Sequence, residues 1–312
     1  MIKPCKFLNY YQGFAYNKKE RNQMKIIVSF SGGKDSQACL IQAANKYGAN
    51  KIEAVFCDTG WEHPDTYTHI HDVCESMGVK LVTLKPELDF VSVCKKNKRF
   101  PEPIRRFCTV ELKIKPMIDY ILSLHESCII IEGIRALESH KRASMQAECM
   151  YFKLYYTPNE KGKYATYRKR DVLQWCTTYD ASVIRPIFTW TAQRVIDCIL
   201  DAGQNPNPLY SRGFSRVGCF PCVMSNLQNI KMLLNDKAMC DRLLNIEKEV
   251  ISLRSNASFF KSGFIPKYAC ANGKYPTVED VFKYVRDKNA TLDMFESEGG
   301  YACMSLYHGL CE

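Results

Sequence analysis

Short apolar runs rich in β-branched residues alternate with segments of helical period through much of the chain. KIIVSF (25–30) predicts a strand, and SQACLIQAANKYG (36–48) predicts a helix closed by Gly48. KIEAVFCD (51–58) is the next strand. PDTYTHIHDVCESMG (64–78) opens with Pro64, as helices do, and closes on Gly78. VKLVTL (79–84) and SCIIIEGI (127–134) predict two more strands, with a helix near 111–125 between them. Alternation of this kind predicts an α/β fold, a doubly wound parallel sheet with helices on both faces.

The rhythm breaks over 141–180, where YFKLYYTPNEKGKYATYRKR interleaves aromatic and basic residues around a turn. That segment reads as a loop-rich insert or hairpin. Alternation resumes with ASVIRPIF (181–188) and a helix at about 192–202, with Thr191 as its N-cap. A long Gly/Pro-rich loop and then a helical pattern from about 225 follow. Three regions are expected: an N-terminal extension (1–24), a main domain (25–224) carrying the insert, and a mostly helical C-terminal region (225–312) acting as a lid or docking element.

Charge and cysteine content narrow the setting. The formal net charge of +10 favours polyanionic partners, namely nucleic acid, nucleotides or acidic surfaces. No apolar run approaches the roughly 20 residues that span a bilayer, and the N-terminus shows no apolar signal core. The expectation is therefore a cytoplasmic protein with no membrane partner. In that setting the sixteen cysteines read as reduced thiols, buried residues or metal ligands rather than as a disulfide framework.

SGGKDS lies between the first strand and the first helix, a context that gives a polar loop meaning. Gly32 and Gly33 let backbone N–H groups converge on an anion, Ser29, Ser31 and Ser36 bring hydroxyls, and Lys34 adds a positive charge. The helix that follows turns its positive end toward the same point. It is not a Walker A loop, because the spacing of glycines and lysine is wrong. Asp35 and Asp58 are candidate carboxylates on the magnesium side of a nucleotide, since Mg²⁺ takes one or two carboxylates plus phosphates. Asp35 could instead cap the helix. Arg135 and Arg142 would clamp phosphate or sulfate, with Glu138 orienting one of them; the same three residues at i,i+3 and i,i+4 spacing also fit a surface ion-pair ladder. His69 and His71, two apart on a helix, make a poor metal pair.

The loop resembles the PP-loop of the adenine nucleotide α-hydrolase (ATP pyrophosphatase) superfamily, which includes sulfate adenylyltransferase small subunits and phosphoadenylylsulfate (PAPS) reductases. Further segments resemble the PAPS reductase-like branch, in that family's order: FCDTGWEHPDTY, RRFCTVELKIKP, EGIRALESHKRA, IRPIFTWTAQRVIDCI and NPLYSRGFSRVGCFPC. The resemblance spans about Lys25 to Met224. It implies an adenine nucleotide, ATP or PAPS, held by Ser29, Ser31, Gly32, Gly33, Lys34, Asp35, Ser36, Asp58, Thr59, Gly60, Gly133, Arg135, Glu138 and Ser139. Lys34, Asp35, Arg135 and Arg142 would be catalytic.

GCFPC places Cys219 and Cys222 in a C-x-x-C turn that by itself suits zinc, iron–sulfur or redox chemistry. The resemblance implies that Cys108 joins them at a [4Fe–4S] cluster, with zinc as the alternative. The basic surroundings of Cys108 are expected to favour its thiolate. Cluster-bearing reductases typically show a Cys-Cys pair at that point, whereas this chain has Phe107-Cys108. The fourth ligand is thus open among Cys149, Cys270, Cys303 and Cys311.

Two activities follow. One is ATP cleavage to AMP and pyrophosphate that activates an acceptor for sulfur transfer, resembling the ATP-cleaving component of DNA phosphorothioation systems. Nucleic acid and a sulfur-carrier or cysteine desulfurase protein are the candidate partners, and the Tyr/Lys/Arg stripe over 151–170 could stack bases. The other is thiol-dependent reduction of PAPS or adenylylsulfate. That branch uses a C-terminal Glu-Cys-Gly-x-His motif, which YACMSLYHGLCE lacks. A non-catalytic nucleotide-binding subunit is the third reading.

Overall fold

The computed structural model describes residues 24–292, apart from 272 and 274. Six strands form one sheet: β1 (Lys25–Ser29), β2 (Ile52–Cys57), β3 (Lys80–Leu84), β4 (Cys128–Glu132), β5 (Glu148–Met150) and β6 (Ala181–Ile184). Their order is β3-β2-β1-β4-β6-β5, parallel throughout except for β5, which runs antiparallel to β6 at the edge. The connections wind one way from β1 to β3 and the other way from β4, so the order reverses between β1 and β4. Ligands of open α/β sheets enter at such a switch point. The register there sets Ser29 opposite Glu132, which brings the chain after β1 beside the chain after β4.

The strands are continuous apolar runs because both faces are covered. Side chains alternate, so Ile26 and Val28 pack toward α1 (Lys34–Tyr47), α2 (Pro64–Ser76) and α6 (Ala192–Asp201), while Ile27 joins Met117, Ile121, Phe152 and Trp175 on the opposite face. That second face is built by α4 (Lys115–Ser123) and α5 (Lys169–Trp175); α3 (Phe90–Asn97) precedes α4 in the chain. α4 follows a wide helical turn over Val110–Ile114. The loop-rich segment 141–180 is not a hairpin of its own: it supplies β5, which pairs with β6, and α5, and its Phe152, Tyr155, Val172 and Trp175 are buried. The aromatic stripe therefore faces largely inward, since the sheet edge offers those rings more apolar surface than solvent does.

Beyond the sheet, the pattern that read as one helix from 225 is two, α7 (Leu227–Leu233) and α8 (Lys237–Leu253), with α9 (Val278–Leu292) after them. Asp236 breaks the first pair by capping α8, its side chain accepting the Met239 N–H at 3.0 Å. These helices share a separate core, Leu243, Ile246, Val250, Phe259, Val281 and Phe282, with Trp61, Phe90 and Phe220 of the main domain. Among the described residues no helix is long and apolar enough to cross a membrane.

Candidate functional site

The phosphate loop is held by its own residues. Gly32 has φ +73, and a Cβ there would lie 2.9 Å from Thr66 and Ile70 of α2, so only glycine fits. The Ser36 hydroxyl accepts the Ser31 N–H at 3.2 Å and donates to the Gly33 carbonyl at 2.9 Å. Asp35 does not cap α1: its carboxylate takes Arg135 Nε at 2.5 Å and Lys34 Nζ at 3.0 Å. Gly133 allows this pairing, since a Cβ on it would sit 2.7 Å from the backbone of Asp35 and Ser36. Two residues not singled out in the sequence clasp the loop from the NPLY segment. Asn207 donates to the Gly32 carbonyl at 3.2 Å, and the Tyr210 hydroxyl accepts the Lys34 N–H at 3.2 Å. Their signal was present, a polar pair inside a Pro-rich loop.

At the end of β2, Asp58 accepts the Gly60 N–H (2.9 Å) and the Tyr67 hydroxyl (2.7 Å). Thr59 is buried and turns away, donating to Glu62 Oε1 at 2.7 Å and lying 3.8 Å from the Cys219 sulfur. Glu62 also accepts the N–H groups of Thr59 and Trp61, which folds this loop around one buried carboxylate. Arg242 of α8 closes the loop from outside. It donates to the carbonyls of Gly60 (2.5 Å) and Glu62 (3.1 Å) and stacks 4.0 Å above the Trp61 ring.

The arginines are more numerous than expected. Arg135 is buried against Asp35, while Arg142 pairs with Glu138, so the surface-ladder geometry holds for only one of them. Ser139 caps the turn that carries Arg142. Burial holds the Arg142 guanidinium below its usual range, and the charges of Arg216, Arg135 and Arg106 add to this while Asp35 opposes it. Three further guanidinium groups thus act on Arg142, and two of them, Arg135 and Arg216, lie at the SGGKDS loop, an arrangement whose mutual repulsion an anion would relieve. Arg106 and Arg216 went unmarked in the sequence, although both flank the cysteine segments.

A cavity of about 160 Å³ opens at the carboxyl ends of β1, β2 and β4. Ser29 and Ser31 line it as expected; Glu62, Lys113, Glu132, Tyr151 and Gly218 line it without having been anticipated. Lys113, Ser31 and Gly218 also border an adjoining space of about 110 Å³ that contains Cys219 and Cys222. Cys108 and Cys222 interact electrostatically, as do Cys219 and Cys222. Burial pushes the Cys219 thiol up to about 11 despite the Lys113 ammonium, and burial also raises Cys108. The expected thiolate character of Cys108 is not found, because its basic neighbours do less than its desolvation. The Cys219 sulfur, when it is a thiolate, and the Glu62 carboxylate hold Lys113 charged against its burial. Cys108, Cys219 and Cys222 do not all lie within 4.8 Å of one another. Of the fourth-ligand candidates, Cys149 sits on β5, 3.6 Å from Arg185 Nη1, and Cys270 donates to the Pro266 carbonyl in the C-terminal core. Cys303 and Cys311 lie outside the described residues. Cys94, buried in α3 and not anticipated, interacts with Cys108.

Residues 25–225 match the phosphoadenosine phosphosulfate reductase domain, and the chain belongs to that family. It is 30% identical to an uncharacterized protein of Methanocaldococcus jannaschii over 67% of this chain and 38% of that one, so it spans well under half of that relative's length. An uncharacterized 37.8 kDa protein of Escherichia phage 186 is 28% identical, over 92% of this chain and 96% of its own. The adenosine 5'-phosphosulfate reductase of Pseudomonas aeruginosa is 26% identical over 66% of this chain and 68% of its own. Among solved structures, PAPS reductase from Candida auris in a phosphate complex aligns with TM-score 0.43 at 15% identity, covering 64% of this chain and 82% of that one.

Proposed function

We propose that this PAPS reductase-like PP-loop protein is an enzyme that binds ATP and cleaves it to AMP and pyrophosphate, activating an acceptor for sulfur transfer. The observation that carries the reading is the intact Ser31–Ser36 loop, closed on itself and joined through Asp35 to the buried Arg135, with the charges of Arg135, Asp35 and Arg216 acting on Arg142. An acceptor oxygen attacks the α-phosphorus, a P–O bond forms, and the bond to the β-phosphate breaks as pyrophosphate leaves. The acceptor's proton passes to solvent, and AMP is freed when the donor's sulfur nucleophile attacks the adenylylated acceptor and breaks its bond to the AMP oxygen. The loop, Lys34 and the arginines neutralise charge that builds on the phosphoryl oxygens and the leaving group. Asp35 and Asp58 are the carboxylates on the magnesium side, and nucleic acid or a sulfur-carrier protein is the proposed acceptor or donor partner.

Cys108, Cys219 and Cys222 are the residues that would hold a [4Fe–4S] cluster. Zinc held by the same thiolates is the alternative. Bound there, the cluster would supply an electron-rich inorganic centre beside the nucleotide. Lys113 bridges the two spaces and holds positive charge between them.

The second reading, reduction of adenylylsulfate or PAPS to sulfite, is favoured by the family match and by the 26% identity to an adenosine 5'-phosphosulfate reductase. Turnover by anaerobically purified protein with magnesium separates the two. ATP and PAPS are supplied separately, with DNA, RNA or a thiol reductant added in turn. AMP and pyrophosphate from ATP are the expected products; sulfite from PAPS with ATP untouched would replace this reading by the reductase.

A further inference from the structure

Two sets of polar groups line the cavity at the ends of β1, β2 and β4. Ser31, Lys113 and Gly218 also border the space that holds Cys219 and Cys222, whereas Glu132 and Tyr151 line it together with Met117 and Ile130 of the sheet's second face. Its volume of about 160 Å³ equals that of roughly five waters, the scale of one planar heterocycle rather than of a whole nucleotide. Glu132 and Tyr151 both have bonding capacity left. Arg185 fixes Glu132 by giving Nε and Nη2 to a single oxygen, Oε2, at 3.0 and 2.8 Å. Oε1 has no hydrogen-bond partner among the described residues. Tyr151, at the end of β5, is anchored by its N–H to the Ala181 carbonyl at 2.9 Å and packs edge-on against Phe152, while its hydroxyl bonds to no described residue.

We propose that this end of the cavity is a purine subsite in which the Glu132 carboxylate accepts the exocyclic amino group of adenine and the Tyr151 hydroxyl donates to a ring nitrogen. A fixed acceptor beside a donor complements the amino-bearing edge of adenine. Hypoxanthine and guanine place a carbonyl oxygen where the amino group would be, facing a carboxylate that cannot donate. The edge segment around β5 thereby sets base specificity, and the phosphate loop sets only affinity for the phosphate chain. Tyr151 belongs to the stretch first read as a stacking surface for nucleic acid; here it serves a single base from within the fold.

This rests on the reading of the site as one for an adenine nucleotide, and the test keeps the two apart. ATP, ITP and inorganic triphosphate are titrated by calorimetry into the full chain and into Glu132→Gln and Tyr151→Phe. The wild type should prefer ATP over ITP about tenfold, the worth of one or two hydrogen bonds. Glu132→Gln, whose amide can face either group, should bring that ratio toward one. Tyr151→Phe, which keeps the ring and leaves the Arg185 pairing alone, should weaken ATP about fivefold. Inorganic triphosphate should bind all three proteins alike. Equal affinity of the wild type for ATP and ITP, or an unchanged ratio and ATP affinity in both variants, overturns the subsite while leaving nucleotide binding in place. Absence of binding of either nucleotide to the wild type overturns the nucleotide reading itself and the subsite with it.

Discussion

The phosphate loop and the thiol cluster border the same cleft but are assembled differently. The loop is local: within six residues Ser36 bonds both Ser31 and Gly33, and the strand–helix junction does the rest. The thiols come from segments more than a hundred residues apart, and burial keeps Cys108 and Cys219 protonated at neutral pH. One end can receive its ligand as built. The other must lose protons first, so its chemistry is coupled to whatever binds there. Trp61 and Arg242 tie the loop after β2 to the cysteine turn and to α8, the indole donating to the Pro221 carbonyl at 3.0 Å and the guanidinium to the Gly60 carbonyl.

The contrast can be broken most severely at Gly133. An alanine Cβ would meet the backbone of Asp35 and Ser36 at 2.7 Å, where no side chain can yield. Gly133→Ala should cost about 2–3 kcal/mol of stability and weaken ATP binding about a hundredfold. Thermal unfolding and calorimetry read both; normal binding at an unchanged melting temperature would show that the β4–loop contact does not govern the site. A smaller effect tests the thiol end. The sign follows from Cys219 lying near 11, above pH 8: each thiol that becomes a ligand must release a proton. Loading metal-free protein at pH 8 in weak buffer should release about one proton per thiol, and Cys219→Ser should release one fewer and bind less iron. Equal proton release and iron content in the variant would remove Cys219 from the ligands. The smallest change is expected at Arg242, where Arg242→Ala should cost about 1 kcal/mol, with Arg242→Lys recovering only part because an ammonium lacks the planar fork that stacks on Trp61. A melting temperature unchanged in both variants would show that the C-terminal helices do not brace the loop.

Local order was the readable part. Apolar β-branched runs marked the strands, Gly and Pro marked the ends of helices, and SGGKDS marked its own loop, because each is decided by neighbours within a few residues. Alternating aromatic and basic residues over 151–170 were ambiguous, since the pattern is the same whether the rings meet a base or a sheet edge. The break at Asp236 was hidden inside an otherwise continuous helical period.

By itself the sequence determined the doubly wound sheet, the SGGKDS loop at its switch point and the placing of Cys219 and Cys222 in one turn. Tertiary structure alone decided that Tyr210 and Asn207 clasp that loop, that Arg106 and Arg216 join Arg135 and Arg142, and that Glu132 meets Tyr151 in one cavity. It also decided that burial raises the thiols of Cys108 and Cys219. Periodicity and capping act through short-range sterics and hydrogen bonds, which the order of residues encodes directly. Charge convergence and desolvation depend on distances across the fold, which exist only once the sheet has closed.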